Sequence, residues 1–235
     1  MSAGQTADSI LVRLRHHFNS LGALDGSLYL LDQLLQRAST GRVRVLRYQV
    51  VAQPLSTGSA LRSDSKTVIA PVDETHPMVV EFPRPPAVIS QRFAQGAQCL
   101  MANVAGQFAG YLWWQHNQYD EDEVRCQFVL AQPARSVWDF DVYVVPRFRM
   151  GRTMARLWQA AEAHLQQQGV TWSCSRISCY NAESLGAHSR LGARAVASAT
   201  FLVAGPLQLS LFNRRPGIHL AIRPSSRPVL RVELP

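Results

Sequence analysis

The chain has 235 residues, 47% apolar and 17% charged, so it has the material for a buried core and is not a disordered tail. No apolar run approaches the ~20 residues that a membrane-crossing helix needs, and Met1 to Asp8 lack a basic stretch followed by an apolar one, which predicts no transmembrane segment, no secretory leader and a reducing, cytoplasmic setting for four cysteines that form no metal-binding spacing. The net charge of +8 rests on arginine, with Lys66 the only lysine, and predicts affinity for phosphate or carboxylate; the absence of a basic block makes nucleic acid an unfavoured main ligand.

Two helices are predicted first, one carrying Leu11, Leu14, Phe18 and Leu21 behind a cap at Asp8 or Ser9, the other carrying Leu28, Leu31, Leu34 and Leu35 between Gly26-Ser27 and Gly41. Their leucine stripes pack on a core, or meet a partner helix, a membrane surface or a second copy of the chain. From Arg42 to Gln53 the period changes to strand alternation. Pro54 to Pro86 reads as loop with short strands at Thr67–Ala70 and Met78–Phe82. A helix over Ala87–Gln95 follows the two prolines. Gln98–Val104 and Gln107–Gln115 form a hairpin about Ala105-Gly106, and His116–Glu123 is a polar turn. Strands follow at Val124–Leu130 and Val137–Val145. The clearest helix is Thr153–Gln168, with Met154, Leu157, Trp158, Ala161 and Leu165 in one stripe and Gly169 behind it. Then come a strand at Thr171–Cys179, a helix at Ala182–Leu191, and strands at Val196–Val203 and Leu207–Phe212. The Pro-rich tail offers edge strands at His219–Ile222 and Val229–Val232. This order predicts an α/β (α+β) fold with a mixed sheet flanked by helices. It divides the chain into a helical extension (1–41), one domain (42–212) and a tail (213–235).

Chemistry concentrates between Val137 and Gly192. A long strand runs into the basic turn Pro146-Arg147-Phe148-Arg149-Met150-Gly151-Arg152, and a helix opens directly after it. The first N–H groups of a helix have no internal partner and carry partial positive charge, so this turn is a physical anion site. An ordinary solvated turn at a helix start explains the same pattern.

The segment Val144-Val145-Pro146-Arg147-Phe148-Arg149 resembles the pyrophosphate loop of the GNAT superfamily of acyl-CoA-dependent N-acyltransferases, in which a strand ending in Val-x-Pro leads through Arg or Gln and two glycines into a helix. Arg149 holds the Arg/Gln position; Arg152 and Met154 stand where Gly, and Gly or Ala, are usual, and Gly151 lies one residue early. Downstream, Asn181, Ser184, Ala187, His188, Leu191 and Gly192 fall on the spacing of the family's next helix. The stretch from Cys99 to Tyr111 resembles its central hairpin. The resemblance spans about Ala87 to Phe212. It implies a mostly antiparallel sheet with a strand–helix–strand core and acyl-CoA, acetyl-CoA first among the candidates, as co-substrate without metal. An amine on a small molecule or peptide would be the acceptor, attacking directly in a ternary complex. It further implies that the turn from Arg149 through Met150, Gly151, Arg152 and Thr153 to Met154 holds the pyrophosphate. Amides near Val144 and Val145 would polarise the thioester, and Asn181 would position the cofactor arm. His188 takes the place of the tyrosine that protonates the leaving thiolate.

The proton acceptor is read from the strand itself. Asp139 and Asp141 alternate and so share one face next to the cleft, where burial would raise their proton affinity; pairing with nearby arginines is the other reading. Trp113, Trp114, Tyr119 and Trp138 are candidates for a substrate pocket or for core. Cys174 with His164 is a weaker nucleophile pair, since Cys174 and Cys179 point to opposite sides of their strand. Two other functions stay open: a GNAT-like module that binds without catalysing, and a basic nucleic-acid-binding protein.

Overall fold

The computed structural model describes residues 3–55 and 64–235, with side chains at Phe18 and from Leu21 onward. Among the described residues four α-helices, α1 (Ala3–Ala38), α2 (Pro86–Ala94), α3 (Thr153–Gln167) and α4 (Ala182–Arg190), accompany twelve strands. In chain order these are β1 (Val43–Pro54), β2 (Thr67–Val72), β3 (Gln98–Val104), β4 (Gln107–Gln115), β5 (Gln118–Asp120) and β6 (Gln127–Leu130), then β7 (Ser136–Val144), β8 (Trp172–Ser178), β9 (Arg194–Ala204), β10 (Leu207–Phe212), β11 (Ile218–Ala221) and β12 (Val229–Val232). Nine form one sheet in the order β11-β10-β9-β1-β8-β7-β4-β3-β2; β12-β6-β5 form a second. Every pair in the large sheet is antiparallel except β7 with β8, which are joined by α3 as a strand–helix–strand crossover. The architecture is therefore a mixed α/β fold with a mostly antiparallel sheet flanked by helices.

Each face of the large sheet has its own core. α3 buries Leu157, Ala161 and Leu165 against Leu100, Leu112, Trp114 and Val137. On the opposite face, α2 and a 3-10 turn cover Cys99, Met101, Tyr111 and Trp113 with Ile89 and Phe82. The small sheet closes the rest of that face, packing Phe128, Leu130, Leu230 and Val232 on Tyr48, Val50, Trp138 and Phe201. The tail is thus built in: β11 extends the large sheet and β12 pairs in parallel with β6.

Four local readings are corrected. α1 begins at Ala3, ahead of the expected cap, and its break lies at Gly22 (φ 78°) instead of Gly26; only glycine enters that region freely. Leu11 and Leu14 lie outside the described side chains. Met78–Phe82 is not a strand: Pro77 sets φ at the first position and His76 accepts the Met78 N–H, which winds Pro77–Glu81 into a 3-10 turn. The polar segment His116–Glu123 contains β5, which pairs with β6. The segment 56–63 of the Pro54–Pro86 loop lies outside the described residues.

Candidate active site

β7 and β8 pair at only three positions, Ser136↔Trp172, Val137↔Ser173 and Trp138↔Cys174, although the strands have nine and seven residues. Beyond Trp138 they part. The wedge between their C-terminal ends is a cavity of about 340 Å³, bounded by Asp139, Ser175, Met154, Asn181 and His188 among others. A parallel pair that opens at its carboxyl ends leaves the inner edge of β7 without a strand partner. Strand alternation sends the N–H and C=O of alternate residues to that edge. The Val145 N–H turns the other way and donates to Ala109 O at 2.9 Å. Val144 therefore faces the wedge, and its C=O accepts from Arg149 Nε at 3.0 Å. The expectation for Val145 is corrected: its amide is engaged with β4, and the amides turned to the wedge are those of Val144 and Val142.

A β-bulge decides the fate of the two aspartates. Asp141 pairs with Trp113 and Asp139 with Trp114, so Phe140 is an extra residue on β7. Neighbouring residues of β4 face opposite sides; hence Asp139 and Asp141 do too, against the expectation that they share a face. Asp141 points to the α2 side, where Arg84 grips it through two bonds of 2.9 Å, Arg92 donates at 2.7 Å and Tyr111 OH at 3.1 Å. The arginine-paired reading thus holds for this residue. Asp139 points to the α3 side with no cation. Its partners are the hydroxyls of Ser173, at 2.6 Å, and Ser175, and burial pushes its carboxyl up to about 6 against their opposing effect.

His188 reaches the wedge from α4. Its Nδ1 lies 3.0 Å from Oε1 of the buried Gln53 on β1. Burial lowers its affinity for a second proton below the ordinary imidazole range. Asn181 caps α4, accepting the Ser184 N–H at 3.0 Å, and also lines the wedge.

The turn after β7 closes as a 3-10 segment through Phe148 N–H to Val145 O and Gly151 N–H to Phe148 O. Helix geometry leaves the N–H groups of Thr153, Met154 and Ala155 without intrahelical partners, and the cap residue Arg152 provides no side-chain bond to them. Arg147 lies over the Phe148 ring at 4.9 Å. Arg152 is exposed and has no side-chain partner among the described residues, and Met150 is exposed. Thus a cation and free amides stand at the mouth of the wedge. A Cβ at Gly151 would meet only Phe148 O at 3.4 Å, so this glycine is not required there by crowding.

Among the four aromatic candidates, Trp113, Trp114 and Trp138 are core; Tyr119 alone lines a cavity, one of about 180 Å³ on the α2 side. Phe140, the bulge residue, lines both that cavity and the wedge. Cys174 and His164 do not meet: Cys174 lies in the core under the small sheet and His164 stacks near Trp114 on the α3 side. Burial raises the Cys174 thiol to about 12 and Cys179 to about 11, far from a thiolate nucleophile. Sequence reasoning missed Gln53, Ser173 and Ser175. Their signal was present: a Gln in the inward register of a Val-rich strand, and serines alternating with Cys174.

No protein-family model and no curated protein sequence matches the chain. Solved structures similar to it include GNAT acetyltransferases. A tandem GNAT protein from the clavulanic acid biosynthesis pathway aligns at 13% identity and TM-score 0.47, over 74% of this chain and 58% of that one. A putative GNAT acetyltransferase from Novosphingobium aromaticivorans aligns at 18% and 0.44, over 70% and 67%. An aminoglycoside N-acetyltransferase in complex with coenzyme A aligns at 17% and 0.40, over 57% and 91%. The chain therefore spans less than two thirds of the length of the tandem protein.

Proposed function

We propose that the protein is an N-acyltransferase that moves an acyl group, acetyl in the simplest case, from coenzyme A to an amine by direct attack. The observation that carries the reading is the parting of β7 and β8: it creates a slot with an unpaired strand edge on one side and a free helix N-terminus at its mouth. A slot of this kind suits an amide-bearing thioester arm ending in phosphates. The arm would lie along the open edge of β7, with the Val142 and Val144 amides available to the arm or to the reacting carbonyl. The pyrophosphate would meet the first amides of α3 and the Arg152 guanidinium. Arg149, with Nε on Val144 O, supports the strand end and keeps its remaining N–H groups for the phosphate. Met150, Gly151, Thr153 and Met154 shape that mouth, and Asn181 orders the far wall. An amine would enter from the α2-side cavity, where Phe140 adjoins the wedge.

Asp139 is the proton acceptor in this reading. Held near pKa 6 without a cation, it is ionised at neutral pH yet basic enough to take a proton from the attacking amine. His188 lines the wedge with Nδ1 on Gln53 Oε1, its affinity for a second proton lowered by burial. Asp141, bound by two arginines and a tyrosine on the α2 side, holds the bulge in place.

Calorimetric titration with acetyl-CoA tests the reading, beside an Arg149→Ala/Arg152→Ala variant. Micromolar binding that the variant loses supports it and calls for an amine screen, in which Asp139→Asn should lower kcat on the order of 10²–10⁴-fold with KM little changed. Absence of heat with acetyl-CoA, longer acyl-CoAs and free coenzyme A would sink it. Tight binding without turnover on any amine would favour a module that binds without catalysing.

A further inference from the structure

The site leaves one large feature of the molecule unused. β9, β10 and β11 form the outer end of the large sheet, and among the described residues their α3-side face is largely exposed. The register aligns Leu202, Leu209 and Leu220 in one row across the three strands, and Leu211 with Ile218 in the next. Leu202, Leu207 and Leu211 are 41–48% exposed, and Ile218, Leu220 and Ile222 are 61–71% exposed. Their opposite-face neighbours Gln208, Ser210 and Phe212 are buried, so the strands present their apolar side to solvent and their partly polar side to the core. β11 is also an end strand, and among the described residues its outer edge has no strand partner. A contiguous apolar sheet face next to an open edge marks a surface made to be covered.

Charge identifies what covers it. Between Glu183 and Glu233 the chain has no acidic residue and seven arginines. Four of them, with Arg42, bracket the apolar face, whereas Arg227 pairs with Asp120 and Arg231 with Glu233. Arg194, Arg214 and Arg215 lie at one end of the strands, where Arg214 Nε meets Val196 O. Arg42 and Arg223 lie at the other, beside the β9–β10 turn, where the Gly205 N–H meets Arg42 O. A second copy docking through this face would bring arginine against arginine. The required partner is apolar in the middle and anionic at both margins.

We propose that the β9–β10–β11 face seats the protein on an anionic lipid surface, with the Leu/Ile side chains at the acyl boundary and the arginines on headgroup phosphates. A leaflet meets both demands over a broad area without a shaped partner, and basic residues near such a surface each add attraction that salt weakens. The placement leaves the wedge free, since β7 and β8 lie on the far side of β1 from β10. The proposal is independent of the acyltransferase reading.

Co-sedimentation of the full chain with vesicles tests it. Vesicles of equal parts phosphatidylcholine and phosphatidylglycerol should carry the protein down, pure phosphatidylcholine should not, and added salt should release it. Ile218→Ser/Leu220→Ser should abolish binding while circular dichroism shows the fold retained, because the two side chains are more than 60% exposed. Arg215→Ala/Arg223→Ala should weaken binding on the order of tenfold or more. No binding to the anionic vesicles at low salt overturns the proposal. So does undiminished binding by the Ile218/Leu220 variant, which would leave only diffuse charge attraction. Light scattering gives the remaining outcome: a dimer in the unsubstituted chain that the same variant dissolves would assign the face to self-association instead.

Discussion

Asp139 and Asp141 stand two residues apart on one strand and live in opposite worlds. Asp141 is enclosed by Arg84, Arg92 and Tyr111; Asp139 has two serine hydroxyls and no cation. A single inserted residue, Phe140, makes the difference by turning the second carboxylate to the other face. The lesson is that carboxylate function follows from the partner set and the face, both of which a bulge can reassign. One aspartate becomes a clamp for backbone geometry and the other a group whose proton affinity is raised.

Removing the clamp should have the largest effect. Asp141→Ala leaves Arg92, 8% exposed and held over the Trp113 and Phe140 rings, without its counter-charge. Breaking a buried pair by deleting one partner costs about 3–5 kcal/mol. Urea unfolding should show that loss. A change under about 1 kcal/mol would mean that water reaches Arg92 freely, and that the bulge does not depend on this cluster.

The same experiment on Asp139 should go the other way and depend on pH. Its native pKa of about 6 lies above the usual value of 3.8, so the folded state binds the proton more tightly than the unfolded chain. The group's stabilising contribution is complete below about pH 4 and is lost as pH rises through 6. Asp139→Asn, which stays neutral, should therefore match the unsubstituted protein near pH 4 and exceed it by up to about 3 kcal/mol above pH 7. A variant that loses stability at pH 8 as well as at pH 4 would show that the serine bonds, not the burial of charge, dominate at this position.

These two residues also mark what the sequence makes legible. Period-two runs and Gly-bounded turns located most strands, because alternation and positive-φ turn residues are local properties: the β3–β4 hairpin and α3 lie where the pattern put them. The tail strands were readable as well, although only tertiary pairing reveals that β12 joins β6. The bulge was not readable, since Trp-Asp-Phe-Asp-Val alternates as a regular strand would and the inserted residue is defined only by its partners on β4. For the same reason the Val145 amide was placed in the wedge when it bonds Ala109. Gln53 stands out locally as a Gln in a Val-rich strand, but its meeting with His188, 135 residues away, is set only by the fold. By contrast, Asn181 and His188, singled out by the spacing of the family resemblance, both line the wedge.

The closeness of β4 and β7 beside the bulge gives a third test. A Cβ on Gly110 would land against the Tyr143 carbonyl oxygen and crowd Val144 Cα. Backbone cannot swing aside as a flexible side chain can, so Gly110→Ala should destabilise by about 1–3 kcal/mol. It should also perturb the strand end that carries the Val144 amide. Stability unchanged in the alanine variant would mean that β4 can slide away from β7 without cost, and the wedge geometry would then not be rigidly set from this side.

The smallest effects separate the two helices that flank the wedge. α4 is capped by the Asn181 side chain, whereas the cap residue of α3, Arg152, forms no such bond. Asn181→Ala should therefore cost about 1 kcal/mol, the usual worth of an N-cap, and Arg152→Ala almost nothing. The converse substitution is the sharper one. Arg152→Asn places a capping side chain where α3 has none, and should stabilise the protein by several tenths of a kcal/mol while removing a cation and covering an amide that an anion would otherwise use. Thermal unfolding with and without inorganic pyrophosphate reads both terms at once. The asparagine variant should melt higher alone and gain less from pyrophosphate than the unsubstituted chain. An equal gain in both would show that the open start of α3 is not an anion site, and that its missing cap is simply tolerated.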